Sequence, residues 1–361
     1  MGKKTWEVST IAGGKLAGSD ASGVYKIDTS AEAQFQHPVN ITVDVFGNVY
    51  VTDFSNHCIR KITPEGNISI LVNGTVPGYT PRELALQEEY RVSPFGGTVQ
   101  KYPRYFDIAV DIFGNVYVAD TENHLIKKIT SDGEISTLAG STYGYKNATG
   151  KAARFSDPMG VAVDSSSNVY VADTGNNRIR KITPEGKVTL FAGSSRGSDD
   201  GTGINAQFNN PTGVAVDLSD NVYVADTYNQ SIRKITPGRE VSTFAGGTRV
   251  YYPGGEVNTL AGGTQGYYDG TGILTQFNNP TGVAVDSSSN IYVADTHNHR
   301  IREITSEGVV TTLAGSGTRG HQDATGTVAQ FRYPYGVAVD SSSNVYVADL
   351  GNHSIRKIEY K

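Results

Sequence analysis

The sequence lacks the residues that disulfide or thiolate-metal stabilisation requires. It has one cysteine, Cys58, so neither an intramolecular disulfide nor a cysteine-based metal cluster can form. Charged residues make up only 19% of the chain, and the formal net charge is −5. A general phosphate-binding surface needs a basic excess, so we do not expect a nucleic acid as the partner.

Long apolar runs are also missing, and none approaches the length of a membrane span. The basic start of the chain, before Trp6, is not followed by an apolar segment, so the sequence predicts no signal peptide. We therefore expect a soluble chain without a membrane span. The sequence leaves its compartment unknown.

Glycine is abundant, with 42 residues in 361, and the chain repeats itself. Two aspartates nine residues apart recur six times, and an asparagine always follows the second one by three residues. The first aspartates are Asp44, Asp111, Asp164, Asp217, Asp286 and Asp340. The second aspartates are Asp53, Asp120, Asp173, Asp226, Asp295 and Asp349.

Each copy contains four short β-rich runs separated by turn residues. Four short strands repeated six times are typical of a β-propeller, so we predict an all-β fold with six four-stranded antiparallel blades. The predicted blades span approximately residues 38–72, 103–140, 158–193, 211–263, 280–315 and 334–358.

The two ends of the chain predict how the ring closes. The last copy stops after its third run, and residues 6–13 match the fourth run of other copies. We expect this N-terminal strand to complete the last blade, so that residues 1–361 form a single closed propeller. Closure removes the open sheet edges that would otherwise need protection.

The repeat follows the pattern Pro-x-Gly-Val-Ala-Val-Asp, then Asn-Val-Tyr-Val-Ala-Asp, then Asn-x-x-Ile-Arg-Lys-Ile, as in Pro211 to Ile235. It resembles the NHL repeat in its long-loop bacterial form, and the resemblance covers nearly the whole chain. It implies a propeller but no single function. The family includes RNA-binding regions of ubiquitin-ligase proteins, sensor domains of bacterial kinases and amidating lyases.

Three recurring features have structural explanations. The aspartates are expected to cap turns through Asx-type hydrogen bonds. The Arg-Lys pairs of the third runs, such as Arg180-Lys181, are expected on the solvated outer part of the blades. Amidating lyases of this family use histidine-bound zinc, so the resemblance implies a metal site formed by histidines. However, His57, His124, His299 and His353 share one repeat position and would be spread around the ring, so we expect no metal and no other cofactor.

Departures from the repeat indicate where binding occurs. The loops after the second and fourth strands should share one face of the disc, here called the long-loop face. Tyrosine and arginine dominate binding hot spots, although tyrosines also pack loops onto blades. The candidates on this face are Tyr143, Tyr145, Arg154, Arg196, Tyr251, Tyr252, Tyr267, Tyr268, Arg319 and Tyr333.

A second departure is a local duplication, because the segment beginning at Glu240 recurs from Glu256. Only one copy can be the fourth strand of its blade, and the sequence does not show which.

The mouth of the central channel should be lined by the residues that follow each loop proline. Its candidates are Asn40, Arg104, Tyr105, Met159 and Tyr335. Such a mouth has two roles open to it: gripping a small anionic or sugar-like ligand, or plugging the channel.

These observations favour a monomeric, non-catalytic recognition scaffold that binds a protein, peptide or glycan through the long-loop face. No catalytic constellation is evident. Two alternatives remain, a lyase- or hydrolase-like enzyme at the channel mouth and a protein that binds single-stranded RNA through the aromatic and arginine side chains of the long-loop face.

Overall fold

The computed structural model describes residues 5–14, 33–73, 91–92, 98–99, 105–247 and 266–361. They form a six-bladed β-propeller of four-stranded antiparallel blades, as predicted, and two blades gain a short fifth strand. The first strands are Pro38–Val43, Tyr105–Val110, Pro158–Val163, Pro211–Val216, Pro280–Val285 and Pro334–Val339. The second strands are Val49–Asp53, Val116–Asp120, Val169–Asp173, Val222–Asp226, Ile291–Asp295 and Val345–Asp349.

The outer half of each blade contains the third and fourth strands. The third strands are Cys58–Ile62, Leu125–Ile129, Arg178–Ile182, Ser231–Ile235, Arg300–Ile304 and Ser354–Tyr360. The fourth strands are Ile68–Asn73, Ile135–Gly140, Val188–Ala192, Glu240–Gly246, Val309–Ala314 and Trp6–Gly13. The short additional strands are Gly201–Thr202 and Gly270–Thr271 at two blade edges, and the hairpin Arg91–Val92 with Thr98–Val99.

The second strands show why the sequence runs apolar where a surface strand would alternate. All five residues of Val169–Asp173 are buried, and the other second strands share this pattern. Each blade packs both of its faces against neighbouring blades, so neither side of the strand meets water. The core is therefore a series of apolar layers between adjacent blades.

The N-terminal strand closes the ring. Trp6–Gly13 pairs antiparallel with Ser354–Tyr360, and Val8 lies opposite Ile358. The predicted completion of the last blade is confirmed.

The structure also decides between the two duplicated segments. Glu240–Gly246 pairs with Ser231–Ile235, with Ala245 opposite Ile232, so the first copy is the fourth strand of blade 4. The second copy, from Glu256, lies outside the described residues.

The first strand of each blade pairs only with the second, so its free edge faces the central channel. The channel contains a cavity of about 240 Å³. The lining residues fall within 40–43, 107–110, 161–163, 213–216, 283–285 and 337–339.

Single 3₁₀ turns follow the second strands on the long-loop face. They are Phe54–Asn56, Thr121–Asn123, Thr174–Asn176, Thr227–Asn229, Thr296–Asn298 and Leu350–Asn352. Four more lie within the long loops, at Gly150–Ala152, Gly203–Asn205, Gly272–Leu274 and Gly326–Val328. Throughout the described ranges, no helix has the length and apolar character needed to cross a membrane. The turns after the first and third strands form the opposite face, here called the short-turn face.

The two sets of aspartates have different structural roles. Asp164 Oδ1 accepts hydrogen bonds from the backbone N–H groups of Ser166 and Asn168, at 3.0 and 2.8 Å, which confirms the expected Asx-type cap. Asp173 instead accepts from the backbone of Ser156 at 2.8 Å and pairs with Arg180. The second set is structural, but the expected capping role is wrong for it.

Candidate functional site

The mouth of the channel in blade 2 does not have the register that its sequence suggested. Tyr105 lies opposite Asp120, just as Pro158 lies opposite Asp173 in blade 3. The sequence pattern predicts Pro103 as the loop proline of blade 2, whereas Tyr105 holds that position in the structure. The expected alignment is therefore wrong by two residues, because Tyr105 replaces the usual proline and Pro103 lies nearby. Phe106 and Asp107 hold the positions of Met159 and Gly160. Arg104 and the side chain of Tyr105 lie outside the described residues.

Asp107 is the least expected group at this end of the channel. The equivalent residue in blades 3 to 6 is glycine, and at Gly160 a Cβ atom would lie 2.0 Å from the carbonyl oxygen of Thr212. Asp107 is buried and accepts two backbone hydrogen bonds, from Ile108 at 2.7 Å and from Val161 of blade 3 at 2.9 Å. Burial raises the pKa of Asp107 to about 7, so both protonation states are populated near neutral pH.

Asn40 takes the same position in blade 1. Its Oδ1 accepts the N–H of Ile41 at 2.8 Å, and its own N–H donates to Thr52 Oγ1 at 2.9 Å. The neighbouring blade accommodates Asn40 only because it has Gly336, whose Cβ position is 2.3 Å from the Asn40 Oδ1. Asn40 and Asp107 are both buried and both line the channel cavity.

Aromatic rings narrow the channel at the long-loop face. Phe106 contacts Phe54 edge to face at a centroid distance of 5.9 Å, and it contacts Tyr335 at 5.5 Å. Phe106 and Tyr335 belong to blades 2 and 6, which flank blade 1, so their contact bridges part of the mouth. Burial and the charge of Asp107 raise the pKa of Tyr335. The sequence left two roles open for the mouth, gripping a small ligand and plugging the channel. Packing of aromatic rings against each other is what a plug requires.

Two of the predicted long-loop tyrosines are held by arginines of the blades. The Tyr145 ring lies 4.5 Å from the guanidinium of Arg178 and 4.6 Å from that of Arg180. Tyr267 lies 3.7 Å from the guanidinium of Arg300, and its hydroxyl hydrogen-bonds Thr312 Oγ1 at 2.8 Å. These cation–π contacts attach the loops to the blades, so one face of each ring serves structure.

Other candidates on the same face are open to solvent. Tyr143 is 66% exposed and Tyr268 is 60% exposed. Arg154, Arg196 and Arg319 are exposed as well. Tyr143 and Tyr268 therefore present more of their surface to a partner than Tyr145 and Tyr267, which are 43% and 42% exposed.

One loop position presents different side chains on the same backbone. Tyr143, Arg196 and Arg319 each form a parallel bridge to a buried phenylalanine of their own loop. The phenylalanines are Phe155, Phe208 and Phe331. The backbone is fixed while the exposed group changes from blade to blade.

Tyr333 lies further inside, next to His299. Their ring centroids are 4.8 Å apart, and the guanidinium of Arg319 lies 4.8 Å from the Tyr333 ring. Both His299 nitrogens face donors: the Tyr333 N–H is 3.2 Å from Nδ1, and Arg319 Nε is 3.1 Å from Nε2. Burial, with the charge of Arg319, lowers the pKa of His299 to about 4.

The shared histidine position is a contact between blades. His124 and His353 accept backbone N–H groups at Nδ1, from Asp157 at 3.2 Å and from His37 at 3.1 Å. In blades 3 and 4 Asn177 and Gln230 accept in the same way through their side-chain oxygens. Within the described ranges, no three His, Cys, Asp or Glu side chains are grouped so that they could hold a metal ion.

Sequence reasoning missed a buried ionic network that fixes the long loops. The arginines at one third-strand position, which include those of the Arg-Lys pairs expected on the solvated exterior, are instead fully buried. The buried arginines are Arg60, Arg180, Arg233, Arg302 and Arg356. Arg233 contacts buried Asp226 at 2.8 Å and the loop carboxylate of Asp200 at 2.6 Å. The constant spacing of seven residues between aspartate and arginine was the available signal.

Fold and site together define a repeat propeller whose rigidly anchored loops carry exposed tyrosine and arginine. A model of the NHL repeat matches residues 35–62, 155–182, 208–235, 277–304 and 331–358, one segment in each of five blades. Five of the six blades therefore contain a recognisable NHL repeat. The matched residues do not include blade 2, where Tyr105, Phe106 and Asp107 depart from the repeat.

The relatives are longer proteins. Human NHL repeat-containing protein 2 is 28% identical over 93% of this chain and 48% of its own length. The Arabidopsis chloroplastic protein SUPPRESSOR OF QUENCHING 1 is 29% identical over 68% of the chain and 24% of its own length. Mouse teneurin-3 is 25% identical over 89% of the chain and 12% of its length. The chain thus spans less than half of each.

Solved structures show the same fold. An auxiliary nutrient binding protein from Bacteroides thetaiotaomicron has a TM-score of 0.69 and 17% identity, covering 99% of this chain and 77% of its own. Virginiamycin B lyase from Staphylococcus aureus has a TM-score of 0.53 and 15% identity, covering 99% of both chains. At these identities the likeness concerns the fold.

Proposed function

We propose that this chain is a non-catalytic recognition scaffold that binds a protein, peptide or glycan through its long-loop face. The observation that carries the proposal is the variable position occupied by Tyr143, Arg196 and Arg319. The backbone pairing there is constant, while tyrosine occupies the position in one blade and arginine in two, so the backbone does not dictate which exposed side chain stands there. Tyrosine and arginine are the side chains that contribute most at interfaces.

The anchoring of the loops supports the same proposal. Arg233 joins loop residue Asp200 to the blade, and Arg302 does the same for Asp269 at 2.6 Å. A loop that is already ordered loses less conformational entropy when a partner binds. The similarly folded Bacteroides protein is described as nutrient-binding, which agrees with a binding role.

The test is binding to a glycan array and to an immobilised peptide library by the full chain and by Tyr143→Ala/Arg196→Ala/Tyr268→Ala. The triple variant should lose roughly tenfold or more in affinity while its unfolding midpoint stays the same. Leu218→Ser, on the short-turn face, is the matched control. Equal binding by the triple variant would refute the proposal, and a steep salt dependence of binding to single-stranded RNA would favour RNA instead.

A lyase-like enzyme at the channel mouth is the second candidate, and Asp107 is the observation that favours it. A carboxyl group whose pKa is near 7 is suited to proton transfer at neutral pH. Both oxygens of Asp107 already accept backbone N–H groups, which favours a structural role. Turnover of virginiamycin B by the wild type and its loss in Asp107→Asn, followed by chromatography, would establish the enzyme.

A further inference from the structure

The short-turn face departs from the repeat in blades 1 and 2. All six turns between the first and second strands share the same aspartate cap, and in blades 3, 5 and 6 the tips are serines, such as Ser165-Ser166. Blades 1 and 2 have Val45-Phe46 and Ile112-Phe113 instead, and Phe46 is 76% exposed and Phe113 is 66% exposed. Since serine forms the same turn elsewhere, the fold does not require these apolar groups.

The two phenylalanines belong to one groove. Phe46 and Phe113 line a cavity of about 220 Å³ between blades 1 and 2, together with Tyr50, Leu71 and Val116. The groove has exposed aromatic walls on turns that form equally well with serine, which indicates a surface that binds another molecule. It lies on the face opposite the long loops.

The cation of the groove is already engaged. The Lys61 amine lies 5.3 Å from the centre of the Tyr50 ring, and the Tyr50 hydroxyl donates to Asp44 at 3.1 Å. Lys61 is half-buried within this cluster. The Lys61 ammonium group therefore already has an aromatic partner within the groove.

The rim of the groove carries exposed negative charge. The turns that hold Glu65 and Asp132 lie beside the turns that hold the phenylalanines: the Cβ position of Gly47 is 3.4 Å from Pro64, and Ser131 lines the groove itself. Glu65 and Asp132 are exposed. Hydrogen bonds from neighbouring threonines lower the pKa of both carboxyls, so they are ionised at neutral pH.

We propose that this groove binds an extended segment of a partner protein with two apolar side chains flanked by lysine or arginine. The apolar side chains pack between Phe46 and Phe113, and the basic ones pair with Glu65 and Asp132. The acidic rim disfavours two other occupants. It repels anionic membranes, and in a two-fold symmetric dimer the acidic rims of the two copies would face and repel each other. This second surface is independent of the long-loop face.

The experiment selects a phage-displayed random peptide library on the full chain, then measures the enriched synthetic peptide by fluorescence anisotropy. The enriched peptides should carry an apolar pair flanked by basic residues. Phe46→Ser/Phe113→Ser should weaken binding roughly tenfold. Glu65→Gln/Asp132→Asn should weaken it roughly threefold and flatten its salt dependence.

Leu218→Ser is the matched control, because Leu218 is 81% exposed on the same type of turn in blade 4. It and the triple long-loop variant should bind the peptide like the wild type. Glu65→Lys/Asp132→Lys gives a second test that leaves the phenylalanines in place and should abolish binding. Peptides that lack the apolar-basic pattern, or that bind the serine variant equally, overturn the proposal. So does a phenylalanine-dependent association with phosphatidylcholine vesicles or with a second copy.

Discussion

Blades 3 to 5 keep the repeat residues at the channel. Blades 1 and 2 depart from the repeat both at the channel mouth and at the tips of the short turns. Blades 3 to 5 have glycine at the close approach between first strands and threonine at the start of the 3₁₀ turn. The glycines are Gly160, Gly213 and Gly282, and the threonines are Thr174, Thr227 and Thr296. The threonine hydroxyls donate to the first residue of the next blade, as Thr174 does to the Pro211 carbonyl at 2.7 Å. Blade 1 has Asn40 and Phe54, and blade 2 keeps the threonine as Thr121 but has Phe106 and Asp107.

The buried cation–carboxylate pair is retained in both groups. Arg60 lies 2.7 Å from Asp53 in blade 1, and Lys127 lies 2.6 Å from Asp120 in blade 2. The pair therefore belongs to what the fold requires, while the channel and the turn tips are free to vary. The comparison teaches that candidate functional residues lie where one backbone carries different side chains.

The largest effect is expected from breaking the shared element. Arg233→Met leaves Asp226 buried without its cation and should lower the free energy of unfolding by about 3–5 kcal/mol. Arg233→Lys copies blade 2 and should cost less. Guanidinium unfolding measures both, with exposed Arg154→Met as the control expected within about 0.5 kcal/mol. An unchanged midpoint for Arg233→Met would show that the pair is dispensable.

The second effect concerns Asp107. The substitution Asp107→Asn gives blade 2 the residue type that blade 1 has at this position, Asn40. The folded-state pKa is raised to about 7 from 3.8, so the native state keeps a proton that the unfolded chain releases. This stabilisation is complete below the unfolded pKa and is lost as the pH rises to about 7, a change of up to about 4 kcal/mol. Unfolding followed across this range should show a slope that Asp107→Asn removes. Parallel curves for both proteins would contradict the assignment.

The third effect has the opposite sign and concerns His299. Its folded-state pKa is lowered to about 4 from 6.5, so the stability it confers is present above the unfolded pKa and is lost as the pH falls towards 4. The loss is up to about 3 kcal/mol. His299→Gln copies Gln230 of blade 4 and should reduce the acid sensitivity of the unfolding midpoint. An identical acid profile for the variant would rule out His299 as its source.

The smallest effect separates two adjacent tyrosines. Tyr267→Ala removes a ring stacked on Arg300 and should lower the free energy of unfolding by about 1 kcal/mol, whereas Tyr268→Ala should change it by less than about 0.5 kcal/mol. For the affinity of partner binding the order should reverse, so that Tyr268→Ala causes the larger loss. Thermal unfolding and the array-binding assay measure the two effects, and equal stability losses would refute this division.

The fold could be predicted because the repeat is nearly exact and its missing strand is found at the other end of the chain. The register of blade 2 could not, because Tyr105 replaces the residue that marks the start of the first strand. Burial of Arg180 was also missed, because the Arg-Lys pair alone does not show which side chain faces the core and the spacing of seven residues from Asp173 was not used.

The candidate site was predicted at the level of a face and not of individual residues. Tyr267 and Tyr268 are identical in type, and only the packing of Arg300 distinguishes them. The apolar tips at Phe46 and Phe113 were visible in the sequence. Only the structure shows that Phe46 and Phe113 line the same groove between neighbouring blades.

Hydrogen–deuterium exchange of the full chain, with and without an array-identified ligand, tests the proposed binding face most directly. The proposal predicts new protection in the long loops, within residues 141–155, 194–208 and 316–331, with the turns at 44–48 and 111–115 unchanged. Protection confined to those turns, or to residues lining the channel, would contradict binding through the long-loop face.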